Sequence, residues 1–329
     1  MALIYPSISR IPDRQESRGE EDWAVEHLKR LLVCVKDPAK DLRMLDYADR
    51  ISRGEVSGRQ FHVLHVQEEQ PGADLAGDTP PLTMGELQSQ VLAYGDRNGN
   101  VPAGEVVCAV VTGPTPVEIL RYAMENDIDC LLVGCAPNGR RGAAGGAGLA
   151  RRLARKATCS VLVVPENARL RVSHVLVPIR DTDCSARATQ VACTVASGVR
   201  AGVSCLNVFS MGSGHSKTGR SLDEVIERLK TVAEQEARRM LVRVETDGAS
   251  PEVRVALDPH SSPVEIILEE CEKTGADLIV IGSRGRTGAA GVLLGKVTEQ
   301  LIAECRLPVL AVKRKGEQIG ILQALLSLA

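Results

Sequence analysis

Short aliphatic runs, separated by longer stretches of mixed polarity, come in two series along the chain. Arg30-Leu31-Leu32-Val33-Cys34-Val35-Lys36 is answered by His174-Val175-Leu176-Val177-Pro178-Ile179-Arg180, and His62-Val63-Leu64-His65-Val66 by Ser204-Cys205-Leu206-Asn207-Val208. Pro116-Val117-Glu118-Ile119 returns unchanged as Pro263-Val264-Glu265-Ile266. Asp129-Cys130-Leu131-Leu132-Val133-Gly134 matches Asp277-Leu278-Ile279-Val280-Ile281-Gly282, and Cys159-Ser160-Val161-Leu162-Val163-Val164 matches Leu307-Pro308-Val309-Leu310-Ala311-Val312. Five landmarks in one order, 142–148 positions apart, are an internal duplication.

Runs that are apolar throughout, rather than alternating, predict strands buried on both faces, hence a parallel sheet with helices on either side. Between them, Ser185 to Ser197 and Leu222 to Val244 have helical character. Each copy therefore reads βαβαβαβαβ, a five-stranded doubly wound α/β domain. The expected division is an N-terminal extension (1–27), a first copy (28–168), a second copy (171–315) and an apolar tail (316–329). Asn167 to Arg171 is too short for a flexible linker, so the copies are expected to pack closely. Thr115-x-x-Glu118 and Ser262-x-x-Glu265 each predict a capping box, with Pro in the first helical turn. That assigns Glu118 and Glu265 to helix starts rather than to catalysis.

Composition narrows the function. A chain of 329 residues suits two cores better than one. A net charge of -2 and 2% aromatic residues give neither the field nor the stacking platforms that nucleic acid calls for. The basic run Arg151, Arg152, Arg155 and Lys156 is expected to be a solvated helix face. Ten cysteines without a C-x-x-C pair, several inside apolar runs, read as reduced core residues. Met1 to Glu26 has no continuous apolar core of a leader, and no apolar run reaches the ~20 residues of a membrane span, so a cytoplasmic location is expected. No histidine pair stands at i, i+4, and His62 and His65 fall on opposite faces of one strand. No G-x-x-x-x-G-K-[ST] is present, and no Ser-Gly-Gly-x-Asp-Ser-type loop follows the first strand. The tail, Ile319 to Leu328, is too apolar to be left in water and too short to span a bilayer. It is expected to dock on its own domain, on a second subunit or protein partner, or on a membrane surface.

The most chemically informative segment is Gly282-Ser283-Arg284-Gly285-Arg286-Thr287-Gly288, continuing to Gly295-Lys296-Val297-Thr298. Glycines let backbone amides approach phosphate oxygens, and a helix starting near Gly295 adds partial positive charge. That helix would bury Val297, Leu301 and Ile302. The spacing Gly282-x2-Gly285-x9-Gly295, on the repeated strand pattern, resembles the G-x2-G-x9-G-[ST] of ATP-binding members of the universal stress protein family. The resemblance covers both copies, from about Leu28 to Lys315. It implies the strand order 3-2-1-4-5 in each copy, with the edge strands around Val161–Val164 and Val309–Val312 expected to pair across the copies as a pseudo-dimer.

The resemblance further implies an adenine nucleotide, ATP with ADP or AMP as alternatives and magnesium as a companion ion. Pro178, Arg180, Asp181 and Val208 would surround the adenine side, over a floor of Ile281 and Gly282. Gly285, Gly295 and Thr298 would face the phosphates, with Arg284, Arg286 and Lys296 as cationic partners and Ser283 and Val297 in the same segment. Two positions depart from the family: Arg180 stands where it has Asp, with Asp181 one residue later, and Lys296 where it has Ser or Thr. The first copy departs further, because Cys135-Ala136-Pro137 follows Gly134, its later glycine run is out of register, and Lys36 occupies the Asp position. It is expected to be a structural partner without nucleotide. The expected function is a non-enzymatic, nucleotide-responsive stress regulator; the alternatives are a slow ATPase and an interaction scaffold without nucleotide.

Overall fold

A computed structural model describes residues 28–54, 57–68, 81–98, 105–135, 147–169, 171–211, 221–260, 262–283, 294–304 and 306–315. The N-terminal extension, the apolar tail and the loop from Arg284 lie outside these residues. The first series of runs forms β1 (Arg30–Val35), β2 (Gln60–Gln67), β3 (Glu105–Thr112), β4 (Cys130–Cys135) and β5 (Ser160–Pro165). Between them lie α1 (Pro38–Asp41), α2 (Arg43–Ile51), α3 (Met84–Asn98), α4 (Thr115–Glu125) and α5 (Ala147–Lys156). The second series forms β6 (His174–Pro178), β7 (Gly202–Ser210), β8 (Glu252–Asp258), β9 (Leu278–Gly282) and β10 (Val309–Val312). Its helices are α6 (Asp183–Val199), α7 (Leu222–Leu241), α8 (Pro263–Thr274) and α9 (Lys296–Glu304).

All ten strands join one sheet in the order β3-β2-β1-β4-β5-β10-β9-β6-β7-β8. Each half has the expected 3-2-1-4-5 order, and every pairing within a half is parallel. The halves meet where β10 pairs antiparallel with β5, Leu310 opposite Leu162. This is the cross-copy pairing that the two apolar edge runs predict, and it removes both edges at once. The alternating sides of the strands feed two cores that each run through both halves. Val33, Leu132, Val177 and Val280 pack beneath α2 and α6, while Leu32, Leu131, Leu176 and Ile279 pack beneath α5 and α9.

The seam also fixes two glycines. Gly54, just beyond α2, and Gly198, in α6, occupy equivalent places in the two copies and meet across the pseudo-two-fold axis. A Cβ on Gly198 would overlap the Gly54 backbone nitrogen and lie 2.6 Å from the Arg53 carbonyl carbon. On the other face α5 and α9 pack together, and Arg155 approaches Glu299 at 3.8 Å. Part of the basic run thus answers an acidic neighbour within the chain.

The repeated Asp before the fourth strand of each half fastens the start of the first. Asp129 accepts the Arg30 amide at 2.8 Å, and Asp277 accepts the Ser173 and His174 amides at 2.9 and 3.2 Å. The second half then locks onto the first through two lysines beyond β10. Lys315 Nζ reaches the buried Asp129 at 2.5 Å, and Lys313 Nζ reaches the Ala157 carbonyl at 2.7 Å, past the end of α5. A cation suits the partial negative charge at a helix C-terminus.

The helix starts at Thr115 and Pro263 are as expected, but their capping boxes are not formed. At α4 the N-cap is Pro114; the Thr115 hydroxyl donates to Glu68 at 2.5 Å, and Glu118 pairs with Arg121 at 2.6 Å. At α8 the Ser262 amide that Glu265 would reach is already taken by Asp258 Oδ1 at 3.0 Å. A capping box forms instead at α7, between Ser221 and Glu224. Burial raises thiols such as Cys193 and Cys205 to about 12, where they stay protonated.

Candidate functional site

In an open doubly wound sheet the ligand crevice lies outside the carboxyl ends of the strands, where helices leave to opposite faces. In the second half that point lies between β6 and β9: α6 leaves β6 for one face and α9 leaves for the other. Most of the residues expected to form a site converge here.

On the β6 side the chain turns tightly after Pro178. The Arg180 amide donates to Ser185 Oγ at 3.0 Å, and Thr182 caps α6 by accepting the Ser185 amide at 3.2 Å. Arg180 Nη1 donates to Asn207 Oδ1 on β7 at 3.0 Å. Asn207 is fully buried and donates from Nδ2 to the Ala233 carbonyl of α7 at 2.9 Å. Asp181 is turned onto Arg243 at 2.5 Å, and Asp183 reaches the same guanidinium at 3.3 Å. Val208 and Ile281 are buried on the α8–α9 side of the sheet.

On the β9 side Gly282 is required by packing. A Cβ there would lie 2.7 Å from the Cys184 carbonyl oxygen in the first turn of α6. Ser283 continues the ladder by donating its amide to Val312 at 2.9 Å, and its carbonyl accepts the Gly295 amide at 2.8 Å. That bond clasps together the two ends of the glycine loop, immediately before α9. Lys296 is the first residue of α9 and is exposed. Thr298 is buried, its hydroxyl donating to the Gly282 carbonyl at 3.1 Å, and Val297 is half-buried rather than part of the buried face. Arg284, Gly285 and Arg286 lie outside the described residues.

Asn207, Arg243 and Ser185 were not anticipated. Asn207 is signalled only by being an amide within an apolar strand; nothing local to Arg243 or Ser185 announces their partners. An open cleft of about 630 Å³ lies at the amino ends of β9 and β10. Arginines 169, 171 and 306 and the acids Glu272, Asp277 and Glu304 line it, so opposite charges balance there. At the carboxyl ends Lys296 stands exposed at the start of α9 instead. Among the described residues no three His, Cys, Asp or Glu side chains gather as a metal site, and no helix is long and apolar enough to cross a membrane.

The corresponding place in the first half is built differently. The Lys36 amide donates to Asp41 at 2.8 Å, the counterpart of the Arg180–Ser185 contact, but Lys36 itself is exposed. The helix that follows is broken into the single turn α1 and then α2, where α6 is continuous over 17 residues. A Cβ on Gly134 would meet nothing nearer than Asp41 Oδ1 at 3.7 Å, so that glycine is not demanded by packing. Pro137 lies outside the described residues.

The profile of the Universal stress protein family matches residues 27–165 and again 172–313. The chain belongs to that family. As a tandem universal stress protein it is 33% identical over 115 residues to Universal stress protein MJ0577 of Methanocaldococcus jannaschii, a match covering 33% of this chain and 68% of that protein. A universal stress protein from Archaeoglobus fulgidus aligns with 87% of this chain and 98% of its own, at a TM-score of 0.56 and 15% identity, which speaks for the shared fold. A solved universal stress protein in complex with cAMP aligns with 44% of this chain and 98% of its own, at 25% identity and a TM-score of 0.32.

Proposed function

We propose that the second half binds an adenine nucleotide, ATP with ADP or AMP as substitutes, and that the chain acts as a nucleotide-responsive stress regulator without turnover. The observation that carries this reading is the clasp between the Ser283 carbonyl and the Gly295 amide directly ahead of α9. It brings the ends of a glycine-spaced loop to the positive end of a helix, where phosphate is favoured. Lys296 supports the same reading. A cation at the first position of a helix opposes the helix dipole, so the position is unfavourable until an anion sits there. Gly285, Arg284 and Thr298 belong to this proposed phosphate side; Pro178, Arg180, Asp181, Val208 and Ile281 belong to the adenine side. With no metal cluster among the described residues, magnesium would arrive with the triphosphate.

Calorimetric titration of the intact chain should give one site per chain. Lys296→Ala should weaken ATP more than adenosine, and Gly285→Val should weaken ATP while leaving the fold intact. Two equivalent sites, or full affinity in the Gly285 variant, refute the asymmetric site. Absence of binding by any adenine nucleotide favours the scaffold reading, and release of phosphate from bound ATP favours the ATPase.

A further inference from the structure

The helix layer on the α8–α9 side of the sheet is electrically lopsided. Its helices lie in the row α4-α5-α9-α8, with α5 and α9 meeting at the pseudo-two-fold axis. α4 and α5 carry five cations and two anions, whereas α8 and α9 carry two cations and six anions. The fold does not impose that difference, because the two pairs of helices occupy equivalent places. By the repeat, Arg151, Arg152 and Lys156 of α5 correspond to Glu299, Gln300 and Glu304 of α9. Little of this charge is answered inside the chain. Arg155 approaches Glu299 at 3.8 Å, but Arg151 and Arg152 are exposed and make no ion pair among the described residues. On the acidic half Glu265 and Glu272 are exposed and equally without an ion pair among them, and the exposed Glu304 accepts from Gln300 at 3.4 Å.

A surface of this kind fits a second copy of itself in one orientation. Because β5 and β10 are antiparallel, α5 and α9 run antiparallel side by side. A two-fold axis parallel to these helices lays α5 of one copy over α9 of the other, and α4 over α8, so the basic half meets the acidic half twice. An axis across the helices would set α5 on α5, where like charges repel. Rotation alone does not shift levels along its axis. Arg155 and Glu299 are level within the chain, so Arg151, one turn back, comes level with the second copy's α9 within about one residue of Glu304. Four helices about 9 Å apart and about 15 Å long present roughly 600 Å² per copy, below the ~800 Å² of a standard interface. The contact is therefore weak and governed by charge.

We propose that the α4-α5-α9-α8 layer is an interface between two copies of this chain, with Arg151 and Arg152 of each copy set against Glu304 of the other. The proposal stands independently of the nucleotide reading. It is tested by sedimentation equilibrium on the full chain, up to about 0.1 mM, where a Kd of about 10⁻⁵ M leaves most chains paired. The mass should be that of two chains at low salt and of one chain near 1 M salt, where the screening length falls to about 3 Å. Arg151→Glu places acid on acid and Glu304→Arg places cation on cation, so each should weaken pairing about tenfold or more. The two changes together in one chain exchange the signs and should restore it. Both side chains are exposed, so all four chains should unfold at closely similar temperatures, which separates loss of pairing from loss of fold. A one-chain mass at low salt overturns the proposal. So does pairing that persists in both single variants, pairing indifferent to salt, or a double variant that pairs no better than the singles.

Discussion

Replacing Gly198 with Ala sets two terms of opposite sign against each other. In an exposed helix this change stabilises by about 1 kcal/mol, because Ala has less conformational freedom to lose. At Gly198 the new methyl is placed on backbone, not on a flexible side chain: it would overlap the Gly54 nitrogen and lie 2.6 Å from the Arg53 carbonyl carbon. Backbone cannot rotate away, so α6 and the segment after α2 must separate by roughly an ångström along the pseudo-two-fold axis, loosening Ala192, Val195 and Ala196 in the shared core. Overpacking of this kind costs about 3 kcal/mol, which leaves a net loss of about 2 kcal/mol after the helical gain. For a chain of 329 residues, at about 2.1 cal/mol/K of unfolding entropy per residue, that lowers the melting temperature by roughly 3 °C. Equilibrium denaturation of Gly198→Ala beside Gly148→Ala makes the comparison, since a Cβ at Gly148 in α5 meets nothing within 4 Å. The Gly148 variant should be neutral or slightly more stable. If Gly198→Ala is as stable as Gly148→Ala, the close approach of the two halves at this glycine pair is wrong.

Lys315→Met should destabilise by about 2 kcal/mol at neutral pH, less than a fully buried pair because Lys315 keeps 31% exposure. Burial already raises the Asp129 carboxyl, against the pull of Lys315, so the penalty acts while Asp129 is ionised. The gap from the unmodified chain should therefore close as pH falls towards 4, measured by denaturation across pH. Glu270 behaves in the opposite sense: despite burial, which raises it, Lys273 and Arg254 hold its carboxyl below the usual range. Its ion pairs stabilise above the unfolded carboxylate pKa of about 4.3 and are lost as pH falls through the lower folded value. Glu270→Gln should reduce stability at neutral pH and flatten the acid limb; an unchanged limb refutes that assignment.

The strand order was legible through the family resemblance, and the pairing of the two copies through the apolar runs at their edges. Val161–Val164 and Val309–Val312 could be matched as edges without knowing anything they touch. The capping boxes failed for the reverse reason. Their residue types were right, but Glu68, Arg121 and Asp258 compete for the same groups, and those partners come from elsewhere in the fold or from one turn further along the helix. The contact between Gly54 and Gly198, 144 positions apart in the chain, was not legible because only the seam brings the two together. Arg180 was visible as a departure from the family pattern, but its direction depends on Asn207, a neighbour supplied by the sheet.

The seam has a consequence for how the chain is made. β5, Ser160–Pro165, is buried at every position in the finished sheet, and Val163 finds its partner Val309 only 146 positions later. Translation at about 5–20 residues per second leaves that edge without its partner for roughly 7–30 s after it emerges. For that interval the first half presents an apolar template that any other chain's strand could extend, and crowded synthesis would raise the risk with every neighbouring ribosome. The second half, beyond any ligand it holds, is the cover that ends this exposure.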